Sequence, residues 1–128
     1  MGMIVLKKKD SAECLQEELG RERAEVLASA GNGVQDILNK MQKRSDAIRN
    51  MIDMLEGKFL PNDKDDGPKK LREKLVKEIN GQIQDYNQLR EHALLRYYYL
   101  VVTREALGLR NHKWAAEAYR IPEKIKLL

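Results

Sequence analysis

From Pro68 to Gly108, apolar residues recur at helical spacing: Leu71, Leu75, Ile79, Ile83, Tyr86, Leu89, Ala93, Tyr97, Leu100 and Leu107. Steps of three and four place them on one face of an α-helix, and a proline suits a first helical turn. The pattern predicts one continuous helix over residues 68–108. At 1.5 Å per residue that is a rod of about 60 Å, well beyond the usual three turns. Such a rod cannot bury its stripe against itself, so it needs partners.

A second helix is predicted over residues 34–57. Val34, Met41, Ile48 and Leu55 repeat every seven residues, with Ile37, Leu38, Met51 and Ile52 between them, and Ser45 interrupts the seam. This is a heptad-like stripe of about three repeats, at the lower limit for a coiled coil, and Gly57 ends it. The connection 58–67 holds Pro61-Asn62-Asp63 and Asp65-Asp66-Gly67, which is turn chemistry. The two helices should therefore run antiparallel.

Upstream, Ser11 to Ala30 reads as a weaker helix capped by Asp10 or Ser11, with a thin stripe of Leu15, Leu19, Val26, Leu27 and Ala30. Gly31-Asn32-Gly33 reads as a helix end and turn, with a kinked, continuing helix as the alternative. Antiparallel register sets residues 94–102 level with 23–31. The segment Leu94 to Val102 is apolar nearly all round and wants covering on every side. The first helix is thus expected to continue beside it, and a second chain to cover the remainder. The run Tyr97 to Val102 has strand propensity, but the helical stripe continues on both sides without a breaker.

After Gly108, Asn111 is placed to cap a short helix through His112, Trp114, Ala115, Ala118 and Tyr119, which Pro122 stops. The tail Glu123 to Leu128 carries Ile125, Leu127 and Leu128, enough to fold back on the bundle or dock on a partner. The expected fold is all-α, one domain over residues 1–128. It is an elongated antiparallel hairpin or bundle with one very long helix (about 68–108), an N-terminal helix and a short C-terminal helix. Residues 1–9 are expected to be disordered.

Composition adds three constraints. Charged residues make up 34% of the chain, against about a quarter in an ordinary domain, as extended helices with solvated faces require. Cys14 is the sole cysteine, which excludes an intrachain disulfide and points to a reducing compartment, hence the cytoplasm. The longest apolar run, Tyr97 to Val102, is far too short to cross a membrane. The apolar Met3 to Leu6 is too short for a signal peptide, and the lysines 7–9 follow rather than precede it. Leu6 stands where a myristoylation motif wants Ser or Thr. Charge is uneven: residues 1–66 carry 11 basic and 13 acidic side chains, a net −2, and residues 67–128 carry 13 and 7, a net +6. Only the second half favours a polyanion.

Chemistry is sparse. Neither His92 nor His112 has Asp, Glu, Cys or His three or four positions away, so no helical metal site is expected. Cys14 has lysines nearby but no base, and reads as a packing residue. Gly31-Asn32-Gly33 lacks the length and lysine of a phosphate loop, and no Ser-His-Asp set assembles. Asp65-Asp66 sits in a loop where solvation explains it. The expectation is no enzyme, no cofactor and no metal.

Two features remain. Ile83, Arg90, Tyr97 and Arg104 repeat every seven residues, and six of the seven aromatics fall in the last 43 residues. Tyr, Trp and Arg are enriched at protein interfaces, so Tyr97, Tyr98, Tyr99, Val101, Val102, Arg104, Trp114 and Tyr119 are the candidate contact surface. The plain alternative makes the tyrosines core-boundary residues and the arginines snorkelling ones. Stacking on unpaired bases is the third reading. The second feature is the charged tip from Phe59 to Lys74, which shares only general shape with helical-hairpin transcription cofactors and reads mainly as a solvated loop. A helix-turn-helix over Arg104 to Ile121 would have only Lys113 and Arg120 as base readers. In size and helicity the chain is similar to flagellar export chaperones, but no motif is matched residue by residue and nothing is carried over. The expected function is non-enzymatic protein–protein interaction, as a homodimer and with an unidentified protein partner. Nucleic-acid binding through the basic second half is the alternative.

Overall fold

Two heptad stripes closing on each other build this molecule. The computed structural model describes residues 11–58 and 66–128. Among them lie three helices, α1 (Ser11–Lys58), α2 (Asp66–Ala106) and α3 (Lys113–Ala118), and no strand. Residues 1–10, with the expected disorder of 1–9, and residues 59–65, with most of the expected turn, lie outside the described residues.

On α1 the buried residues Ala30, Val34, Ile37, Met41 and Ile48 follow the alternating four-and-three step. On α2, Ile79, Ile83, Tyr86, Ala93 and Leu100 do the same. Such spacing keeps a seam facing an antiparallel partner helix. The register is visible in the polar neighbours: Arg44 of α1 donates to Gln82 of α2 and lies 3.8 Å from Asp85. Arg44 occupies a seam position that an apolar residue would otherwise fill, and it survives by reaching out to these partners half-exposed. Ser45 instead turns to a groove shared with Tyr86, Arg120 and Pro122.

The first helix does not stop at Gly31-Asn32-Gly33. The N-terminal helix and the second helix are one element of 48 residues, longer than the rod at 66–106. Interior glycines cost about 1 kcal/mol each against alanine, so something must justify them. Gly31 supplies the reason. A Cβ there would collide with the Tyr119 hydroxyl and lie 3.2 Å from its Cζ. The glycine is a notch for a side chain from the other end of the sequence, not a break.

α2 ends in a Schellman motif. The Leu109 amide donates to the Arg104 carbonyl (2.9 Å) and that of Gly108 to Glu105 (3.0 Å), with Gly108 at φ +88°. That left-handed backbone is open to glycine at little cost. The chain then reverses, and the N-cap of α3 is His112, which makes no side-chain cap bond, rather than the expected Asn111. Asn111 stands one residue earlier, and its Oδ1 accepts the Lys113 amide (3.0 Å) in an Asx-type turn. Ala115 of α3 is fully buried against Ala30, Val34 and Leu100. Pro122 keeps Ile121 out of the helical region, and residues 120–128 return along α2. Ile121 and Ile125 pack on the main core of Ile37, Met41, Ile48, Ile79, Ile83, Tyr86 and Ala93. The tail folds back on its own hairpin.

Candidate interaction surface

Seam residues become small or few in the upper half of the hairpin, and exposed large apolar side chains appear off the seam. On α1, Leu15, Leu19 and Val26 continue a four-and-three step through Ser29 and Gly33, about 100° round from the seam. On α2, Leu95, Tyr99 and Val102 form another stripe, each two positions past a seam residue and so turned largely away from α1. Val26 and Tyr99 line one shallow groove with Ser29, Gly33 and Arg96. Leu95, Tyr98, Tyr99 and Val102 line an adjoining one with His92. All seven of the apolar side chains named are exposed, Leu95 by 65% and Tyr98 by 66%, although Leu100 on the same helix is buried.

The sequence candidates divide. Tyr98, Tyr99 and Val102 stand on this open face. Tyr97 is half-buried in the small upper core with Ala30, Val34 and Leu100, and Tyr119 joins it there against Gly31. Val101 is half-buried. Arg104 and Trp114 belong to a clasp under α3. Arg104 donates through Nη2 to the Asn111 carbonyl (3.0 Å) and through Nε to His112 Nδ1 (3.3 Å), and its guanidinium lies 5.9 Å from the Trp114 ring centre. Trp114 meets Tyr119 edge-on at 6.2 Å and is otherwise exposed by 63%. An arginine Nε–H only donates, so His112 Nδ1 accepts and its Nε2–H is left to donate to Glu105 (3.1 Å).

Arg90, the other arginine of the heptad, is engaged as well. Its Nε donates to the Pro122 carbonyl at 2.8 Å. Both arginines that flank Tyr97 in sequence therefore tie the last 20 residues onto α2. Tyr86 lies at the core beside this tie: burial pushes its phenol above the ordinary value, with the charge of Arg90 pulling the other way.

Two residues carry much of the tail's docking and were not singled out by the periodicity. Asn87 donates to the Ile125 carbonyl (2.9 Å) and accepts from the Ile125 amide (3.0 Å). Asn80 accepts from the Leu128 amide (2.8 Å) and its Nδ2 lies 3.5 Å from the Leu128 carbonyl. The available signal was a pair of asparagines seven apart inside a long helix, where asparagine is a mediocre helix former.

Among the described residues no group of His, Cys, Asp and Glu is placed to hold a metal ion, and no helix is long and apolar enough to cross a membrane. Cys14 is exposed and unpaired as a thiol. The class these features define is an all-α antiparallel helical hairpin, with a short third helix against its upper half and an extended tail along its lower half. No family model, curated protein or solved structure matches the chain.

Proposed function

We propose that this chain is a non-enzymatic protein-interaction module whose contact surface is the open face of the upper hairpin. The observation that carries the reading is the second stripe. Leu15, Leu19 and Val26 of α1 and Leu95, Tyr98, Tyr99 and Val102 of α2 stand exposed at coiled-coil spacing beside a seam already filled. Val26 and Tyr99 share one groove and Leu95, Tyr98, Tyr99 and Val102 the adjoining one, and an exposed apolar patch of this kind marks an association site. Its occupant is a second copy, because a helical stripe on each of two antiparallel helices suits the isologous contact of a four-helix bundle. An unidentified partner with a similar helical face would use the same surface. The lone thiol of Cys14 suits a reducing, cytoplasmic setting.

Tyr98→Glu tests the surface. Monomers on light scattering, against dimers for the parent chain, are the expected result. An unchanged mass for the variant removes this face from consideration. The nucleic-acid alternative keeps the exposed cluster Lys69, Lys70, Arg72, Lys74 and Lys77, but Arg90 and Arg104 are already spent on the tail and α3. Salt separates the two readings: phosphate contacts weaken steeply as salt rises, whereas apolar association is nearly indifferent.

A further inference from the structure

The way residues 120–128 are held is chemistry that reads a backbone. An asparagine side chain offers one carbonyl acceptor and an N–H donor, the same pair a peptide unit offers. Asn87 uses both on one residue, Ile125, so neither bond depends on which side chain Ile125 carries. Asn80 repeats the arrangement on Leu128, and Arg90 takes the carbonyl of Pro122. The engaged residues, 122, 125 and 128, recur every third position, the repeat that a polyproline II-type chain presents to one side.

The spacing explains why the match works. Asn80 and Asn87 stand two helical turns apart, about 10.5 Å along α2. Three residues of extended chain cover about 10 Å. A helix with hydrogen-bonding amides at i and i+7 is thus commensurate with an extended peptide bonded at j and j+3. Selectivity would come from the apolar side: Ile121 and Ile125, four apart, enter the groove between α1 and α2 and reach the main core. Lys124 lies 3.7 Å from Glu91, an exposed pair that adds little but sets a charge preference.

We infer that Asn80, Asn87 and Arg90, with the apolar groove beside them, form a recognition site for an extended peptide from a partner protein, and that residues 120–128 are its tethered occupant. The partner's segment carries aliphatic residues four apart and a basic residue between them, and runs antiparallel to α2. It displaces residues 120–128, which peel away from α2 beyond Tyr119 while α3 stays docked on the upper core. This site lies at a different level of α2, toward the hairpin tip from Tyr98, and goes beyond the association proposed above. A tethered occupant competes at an effective concentration of order 1 mM, so an untethered peptide of the same sequence binds the intact chain weakly. Freeing the groove unmasks it.

The probe is a fluorescent synthetic peptide with the sequence of residues 119–128, measured by anisotropy against the full chain. Ile125→Asp in the chain, which ejects the tail, should tighten peptide binding at least tenfold. Adding Asn87→Leu to that variant should weaken it at least tenfold, and Tyr98→Glu should leave it unchanged. A helical Ile125→Asp chain that fails to bind, or binding indifferent to Asn87→Leu, overturns the proposal. A second measurement needs no variant. In the isotope-labelled parent chain, millimolar unlabelled peptide should move the Ile125 and Leu128 amide signals toward those of a free segment. Signals that stay fixed overturn the inference too. So does a concentration-dependent doubling of mass that Asn87→Leu abolishes, since that would make the occupant a second copy's tail.

Discussion

The lower and upper halves of the hairpin use the same helices and end in opposite states. Below, large seam residues (Ile37, Met41, Ile48, Ile79, Ile83, Tyr86) meet each other, and Ile121 and Ile125 cover the groove beside them. Above, the buried residues are small or few: Ala30, Val34, Leu100 and Ala115. Small residues let α3 approach closely, but they bury little apolar area, and the large apolar side chains there face outward. The comparison separates two roles for one heptad pattern. Stripes that point at each other hold the fold, and the stripe rotated off the seam is left exposed.

The strongest test breaks the lower half. Ile83→Ala or Ile48→Ala should cost about 2–5 kcal/mol in chemical denaturation, because both side chains are buried in the shared seam. Leu95→Ala in the upper half, measured as monomer, should stay within about 0.5 kcal/mol of the parent. Equal losses at Ile83 and Leu95 would erase the distinction between filled and open stripes. Leu89, half-buried against the same core, should fall between them.

The next effect probes how α3 is admitted above. Gly31→Ala should destabilise by about 1–3 kcal/mol, since the new Cβ meets the hydroxyl and ring of Tyr119. Tyr119→Phe removes the nearest atom and should recover part of the loss in a double-mutant cycle. Additivity of the two changes would show that the notch is not what Gly31 is for.

How legible all this was depends on periodicity. The long rod and the antiparallel hairpin follow from spacing, because three-and-four steps are local properties, whereas the cap of α3 falls on His112, one residue past the asparagine that the spacing favoured. Gly31 misled for a physical reason: glycine ends helices often, and its use as a cavity depends on Tyr119, 88 positions away. Arg90 and Arg104 drew notice through their seven-residue spacing with Tyr97, yet their partners are backbone carbonyls at Pro122 and Asn111. Backbone partners leave no sequence signature. The same holds for Asn80 and Asn87. Of the three consecutive tyrosines, helical geometry alone dictates that all cannot share a face, and Tyr97 turns inward while Tyr98 and Tyr99 stay out.

A smaller effect of opposite sign sharpens the glycine comparison. Gly81 sits in α2 with nothing within 4 Å of a built Cβ, unlike Gly31. Gly81→Ala should therefore stabilise by about 0.5–1 kcal/mol, through lower backbone entropy in the unfolded chain and better helix propensity. Destabilisation at Gly81 would mean that this side of α2 is covered in solution.

The smallest expected effect is confined to high pH and to the lower core. Tyr86 is buried in the seam and its phenol is raised by that burial, against the opposing charge of Arg90. An unfolded tyrosine ionises near pH 10, so the folded chain holds this proton more tightly than the unfolded one. The resulting contribution to stability is fully present below about pH 10 and is lost as pH rises from there through the folded value. Melting temperature followed across that window should fall more for the parent than for Tyr86→Phe, because phenylalanine fills the seam with no proton to lose. The comparison between the two chains matters more than either curve, since other tyrosines and lysines titrate in both. Parallel curves would place the Tyr86 hydroxyl in water, and with it would move the edge of the lower core from this residue to Ile83.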